Sequence, residues 1–327
     1  MTTISKNTPV ISNISNETAS VNKQQCVKKY EFTDETIEVG DYTLYRIRAL
    51  RDFANIKAGD LGGFIHKVAN LADNGECWVG GNAMVYGDAR VFDNAHISDN
   101  AKITGSAKIY ENARVYGNAS VHIRAEVYGN AQVYDNALIY GDIFGHAKVY
   151  GNAKIYDTIY GKFLDKTRIY GNAEVYGKAR VLGSSQVYDN AHVYEDAVVF
   201  DNARVCDNAH VCGAAMVNRE AKVYGNAIVT CYAHVYDRGC VCDNAKVYGK
   251  VYGGARVSNN ALISENAEVY DDARIYDNAK IYGKVYGNAH VFGNAQVIGY
   301  TEINGNTKIG GNYKEPVVVG EIVFTTA

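Results

Sequence analysis

The chain has 327 residues, with 33 Lys and Arg against 36 Asp and Glu and a formal net charge of −3. That balance excludes a general nucleic-acid binder, which needs a basic surface to displace counterions, and no apolar run reaches membrane-spanning length. Seven cysteines, an odd number without framework spacing, fit a reducing compartment better than a disulfide scaffold, so a cytoplasmic location is expected.

Residues 1 to 28 are rich in Ser, Thr, Asn and Lys and carry no apolar period, which predicts a flexible N-terminal tail. Residues 29 to 76 read as a small β-rich capping head, in which Ile37 to Val39 and Tyr42 to Ile47 flank a Gly40-Asp41 turn. The glycines that follow (Gly59, Gly62, Gly63) lack the Lys-Ser/Thr pair and the strand-helix setting of a phosphate-binding loop. Covering the open edge of the first coil is the simplest task for this head.

From Met84 to Ile309 one six-residue phrase recurs, as in Val-Tyr-Gly-Asn-Ala-Lys and Ile-Tyr-Asp-Asn-Ala-Lys. Short fixed periods of this kind mark a solenoid, whose units bury their apolar side only by stacking. Strand alternation sends the Ala and the Val or Ile inward, and the variable residue and Tyr outward. Gly-Asn or Asp-Asn then turns the chain, because these residues tolerate a left-handed backbone. Three flat faces give a triangular coil of 18 residues, about 13 coils over 77 to 312 and a rod roughly 60 Å long. Two prolines in the whole chain agree with a parallel ladder.

Five units are shorter by an Ala-variable pair: Ile139 to Ile143, Ile155 to Ile159, Ile159 to Phe163, Val247 to Val251, and Ile281 to Val285. Counted in threes they fall on two faces, and no lid-length loop is expected among the coils. Residues 313 to 327 abandon the phrase for Val317-Val318-Val319 and Ile322-Val323-Phe324, which suggests a C-terminal closing segment.

The repeat resembles that of left-handed β-helix proteins, with Tyr where that group commonly has Gly. Arg51-Asp52-Phe53, Lys57-Ala58-Gly59-Asp60-Leu61-Gly62-Gly63-Phe64, Asn70-Leu71 and Cys77-Trp78-Val79 resemble the opening segment of the YdcK-like family of bacterial proteins. The resemblance implies an all-β, single-chain left-handed parallel β-helix from a bacterium or its phage. Such proteins are sometimes labelled transferases by analogy, and no reaction carries over.

Hexapeptide acyltransferases are similar in the coil, but typically work as trimers with acyl-coenzyme A between neighbouring helices and a catalytic His. Here His96, His192, His210, His234 and His290 occupy the permissive variable slot. His122 replaces a row tyrosine and His146 a corner Asn, which makes these two the candidates for acid-base work. His192 and His210 are 18 residues apart, so they stack on one face and offer two metal ligands; Glu174 and Ile228 flank them without completing a histidine set. No cofactor is expected unless the chain is an acyl- or nucleotidyl-transferase, in which case acyl-coenzyme A is the candidate.

Most of the 27 tyrosines follow the inward Val or Ile, and Phe92, Phe144, Phe200 and Phe292 fill the same slot. Aromatic rows along the outside stabilise a ladder. They also make a stiff contact surface for a protein, a glycan or another copy of the rod. The expected function is that of a non-catalytic binding or scaffolding rod, with Tyr128, Tyr134, Tyr140, Tyr270, Tyr276, Tyr282 and Tyr286 as contact candidates and a monomer favoured over a trimer.

Overall fold

The computed structural model describes residues 28–159, 162–163, 166–311 and 318–319. All of the expected tail but its last residue lies outside them, as does the closing segment apart from a Val318–Val319 strand. No described helix is long and apolar enough to cross a membrane.

The repeat folds as its alternation dictates. Ala95 with Ile97, Ala113 with Val115 and Ala191 with Val193 are fully or almost fully buried, and the same holds around the array. The small Ala lets the chain approach the axis next to each corner, while the branched residue fills the width of the face. Each turn starts at the ring slot: Ala113 N–H donates to Tyr110 O at 3.3 Å, with Glu111 in the left-handed region at φ 55°. Corner amides continue the ladder, as where Asn118 N–H donates to Asp135 O on the next coil at 2.7 Å.

The chain visits three sheets in rotation, parallel through the coils and here called I, II and III. They hold 16, 13 and 14 strands, and the coil makes about 13 turns. Corner asparagines add a second ladder. Behind sheet II it runs from Asn172 through Asn190, Asn208 and Asn226 to Asn244, each Nδ2 donating to the next Oδ1 at 2.9–3.1 Å.

At the N-terminal end, β1 (Tyr30–Val39) and β2 (Tyr42–Ala49) form the expected antiparallel hairpin. β3 (Leu61–Ile65) pairs antiparallel with β2 on one side and parallel with Met84–Val85 on the other. Sheet I therefore passes from the hairpin into the coils, and β2 covers the edge that β3 would otherwise expose. The adjacent glycines are there for space: a Cβ on Gly62 would sit 2.5 Å from Ile47 Cγ1, and one on Gly63 only 2.4 Å from Ala83 O. Beside the first coil, the buried Lys29 ammonium donates to Cys77 O at 2.9 Å and lies over the Phe53 ring at 5.4 Å.

One expectation of the repeat is corrected. Ile159 and Phe163 do not lead short coil units, because Thr158–Ile159 pairs antiparallel with Lys162–Phe163 as a separate two-stranded unit. The coil closes without it: Lys154–Tyr156 and Arg168–Ile169 are consecutive strands on sheets I and II. Thr167 takes the inward small-residue slot, its hydroxyl bonded to Tyr156 O and Gly183 O. The other three shortened units stay in the coil. Ile139 to Ile143 turns from sheet I to II, and Val247 to Val251 and Ile281 to Val285 turn from III to I.

Candidate binding surface

A Tyr that follows an inward Val or Ile emerges at the start of a corner, and coil stacking places the next such ring directly above it. Three separate rows result. Above sheet II, Phe92, Tyr110, Tyr128, Phe144, Tyr170 and Tyr188 stack continuously at 4.8–4.9 Å between centroids, 2–6° from parallel. Above sheet III the run is Tyr116, Tyr134, Tyr150, Tyr176 and Tyr194. Sheet I carries His122, Tyr140 and Tyr156, then a second run of Tyr236, Tyr252, Tyr270 and Tyr286.

Each ring is half-buried between its neighbours and shows solvent mainly its edge and hydroxyl. Burial pushes the Tyr134 phenol up to about 12, with the Tyr116 phenol and Glu174 adding to the effect. Carboxylates on the strand face anchor several hydroxyls: Tyr110 OH donates to Glu126 at 3.1 Å and Tyr150 OH to Glu174 at 3.1 Å. Lys108 and Lys148 pair with the same two carboxylates at 3.1 and 2.8 Å. The rows are therefore ordered edges of phenol, carboxylate and ammonium, stiff before any partner arrives.

The contact candidates divide among the rows. Tyr270 and Tyr286 stack on each other, whereas Tyr276 belongs to sheet II, where it stacks on Phe292 at 5.2 Å. Tyr282 stands above sheet III between Ser264 and Ile298, 39% exposed. Tyr128, Tyr134 and Tyr140 likewise lie in rows II, III and I.

His122 and His146 are on different sides of the rod. His122 stacks on Tyr140 at 5.0 Å and burial lowers its pKa; His146 is an exposed corner residue behind sheet II. His192 and His210 stack at 4.9 Å, with Glu174 and Ile228 in register on either side.

Among the described residues, one group of three donors has metal-ligand proximity: Asp189, Cys206 and Asp207, within 4.8 Å of one another. Cys206 sits in a ring slot and the two aspartates in corners that commonly hold Asp, so no local spacing in the sequence signals the group. Two further thiols, Cys240 and Cys242, flank the inward Val241 on the outer face of sheet II. The Cys242 thiol bonds to Cys240 and lowers its pKa to about 6, with Tyr224 OH also contributing, while Arg256 Nη2 lies 3.4 Å from Cys242 Sγ.

A cavity of 720 Å³ lies where the head overhangs the first coils of sheet III, at the N-terminal end of that sheet's run of rings, with Tyr116 in its lining.

The family model for the YdcK Beta solenoid repeat matches residues 107–122 and 131–143. No match was found among the curated proteins.

Proposed function

We propose that this chain, a YdcK-like β-solenoid, works as a non-catalytic binding or scaffolding rod that presents stacked phenol rows to a protein or glycan surface. The observation that carries this is the run Tyr236, Tyr252, Tyr270, Tyr286, held at 4.6–4.9 Å by the coil repeat. A partner with matching periodicity meets side chains whose rotamer freedom the stack has already removed, so little ordering entropy opposes binding.

The test replaces those four residues with Ser together, since they form one continuous strip. A partner captured by the intact rod, or a glycan retained on an array, should be lost while circular dichroism stays β-like. Capture that is indifferent to the change assigns the rows to structure alone.

A transferase of the hexapeptide-repeat group is the second reading, favoured by one observation: the antiparallel unit Thr158–Ile159 with Lys162–Phe163 leaves the coils, as a lid over a coenzyme groove does. Equilibrium dialysis against acetyl-coenzyme A, with light scattering for the trimer, separates the two. Binding that is lost on substituting His122 or His146 supports the enzyme.

A further inference from the structure

The aromatic row of sheet III stops two coils before the head. Tyr116 stacks on Tyr134 at 4.9 Å on one side, and the next two ring slots toward the N-terminus hold Ser98 and Gly80. Packing does not demand that gap: a Cβ on Gly80 would meet only ordinary contacts, the nearest Trp78 Cδ1 at 3.5 Å, and its φ is not positive. The head loop, with Ile56, Asp60 and Leu61, overhangs the same place and turns it into a cleft of 720 Å³, within the range of small-molecule sites.

The cleft floor is a strip of variable-slot residues brought into register by the coils: Trp78, His96, Arg114 and Gln132. Some cations on these faces meet an acid, as Lys148 meets Glu174 at 2.8 Å. Arg114 has no carboxylate within ion-pair distance among the described residues, although its guanidinium faces the cavity. Asp60 lines the opposite wall, where its carboxylate accepts from Lys57 N–H at 2.8 Å.

A free ring face and an unpaired guanidinium thus line one cavity, with ring-sized space between the ring and the head. We propose that this cleft binds a small aromatic anion, its ring continuing the row in the slot at Ser98 against Tyr116 and its carboxylate or phosphate on Arg114. The coil supplies the ring spacing, so the ligand takes the place of a missing side chain. The guanidinium fork matches either oxyanion, which leaves the choice between them to experiment. This site is independent of any partner of the long rows.

The chain contains one tryptophan, Trp78, and it lines the cleft, so its fluorescence reports occupancy. The probes are 4-nitrobenzoate and 4-nitrophenyl phosphate, with uncharged nitrobenzene and non-aromatic cyclohexanecarboxylate as controls. At least one aryl anion should quench Trp78 saturably, and each control should bind at least tenfold more weakly; the tighter of the two anions identifies the oxyanion. Arg114→Gln should weaken that probe tenfold or more. Ser98→Tyr fills the slot with the residue that the repeat itself uses, so the fold should persist by circular dichroism while binding disappears. Quenching that stays linear to 10 mM, or saturable quenching untouched by both substitutions, overturns the proposal.

Discussion

The imidazoles of His192 and His210 lie one coil apart, stacked 4.9 Å between centroids and 5° from parallel. Burial, then the neighbouring His192, lowers the pKa of His210, and burial is also the leading cause of lowered values at His96, His122, His234 and His290. As pH falls below about 6.5, the unfolded chain takes up protons before the folded one does. The stability these groups contribute is therefore complete above that pH and is lost as pH falls through their lowered folded values. Urea midpoints should drop between pH 7.5 and 5.5, and His122→Gln with His210→Gln should flatten the drop.

Core occupancy gives a steeper test. Ala191 is fully buried beside the equally buried Val193. Ala191→Arg places an unpaired charge in the dry interior and should cost about 4 kcal/mol or more. Because each coil touches only its neighbours, amide exchange should rise in the coils around residue 191 and leave the head protected.

The asparagine ladder behind sheet II has one defect. His146 stands in the corner slot between Asn130 and Asn172, where the column otherwise runs Asn to Asn. His146→Asn should restore two side-chain bonds and stabilise the rod by about 1 kcal/mol, read as a higher Tm. A lower Tm would assign the imidazole a packing role.

Ile123 holds a corner at φ 58°, a conformation most other corners give to Gly or Asp. A β-branched residue there carries strain of about 1–2 kcal/mol, and at 37% exposure its side chain recovers little by burial. Ile123→Asn should therefore raise stability by about 1 kcal/mol in equilibrium unfolding. The same corner is tight below: a Cβ on Gly105 would sit 2.7 Å from the Ile123 backbone, so Gly105→Ala should destabilise.

The bond from Cys242 holds the Cys240 thiol below its ordinary value, which favours its thiolate form over that of an unpaired thiol. Peptide mapping after brief iodoacetamide treatment at pH 7 should find Cys240 alkylated first, several-fold ahead of the buried Cys77, whose pKa burial raises. Cys242→Ala removes the bond and should slow that labelling.

The interior and the outward rings were legible in the sequence because both depend on a period of two within a single strand, which needs no distant partner. The assignment of Ala113 and Val115 inward, and Tyr116 outward, follows from neighbours alone. Row membership was harder to read. Tyr270 and Tyr276 share one local phrase, yet they belong to different rows, since a row joins residues a whole coil apart and each two-residue deletion shifts the count.

Tertiary structure decided the rest. Ile159 and Phe163 look locally like coil leaders, and only the antiparallel pairing of their strands takes them out of the stack. The cleft at Arg114 likewise depends on a head loop some 55 residues earlier in the chain folding over sheet III, a contact that no local period encodes. Residue pattern determined which side each group faces, because alternation is a property of the extended backbone itself. Which groups meet was set by how strands pair across coils, because those distances exist only once the chain has closed on itself.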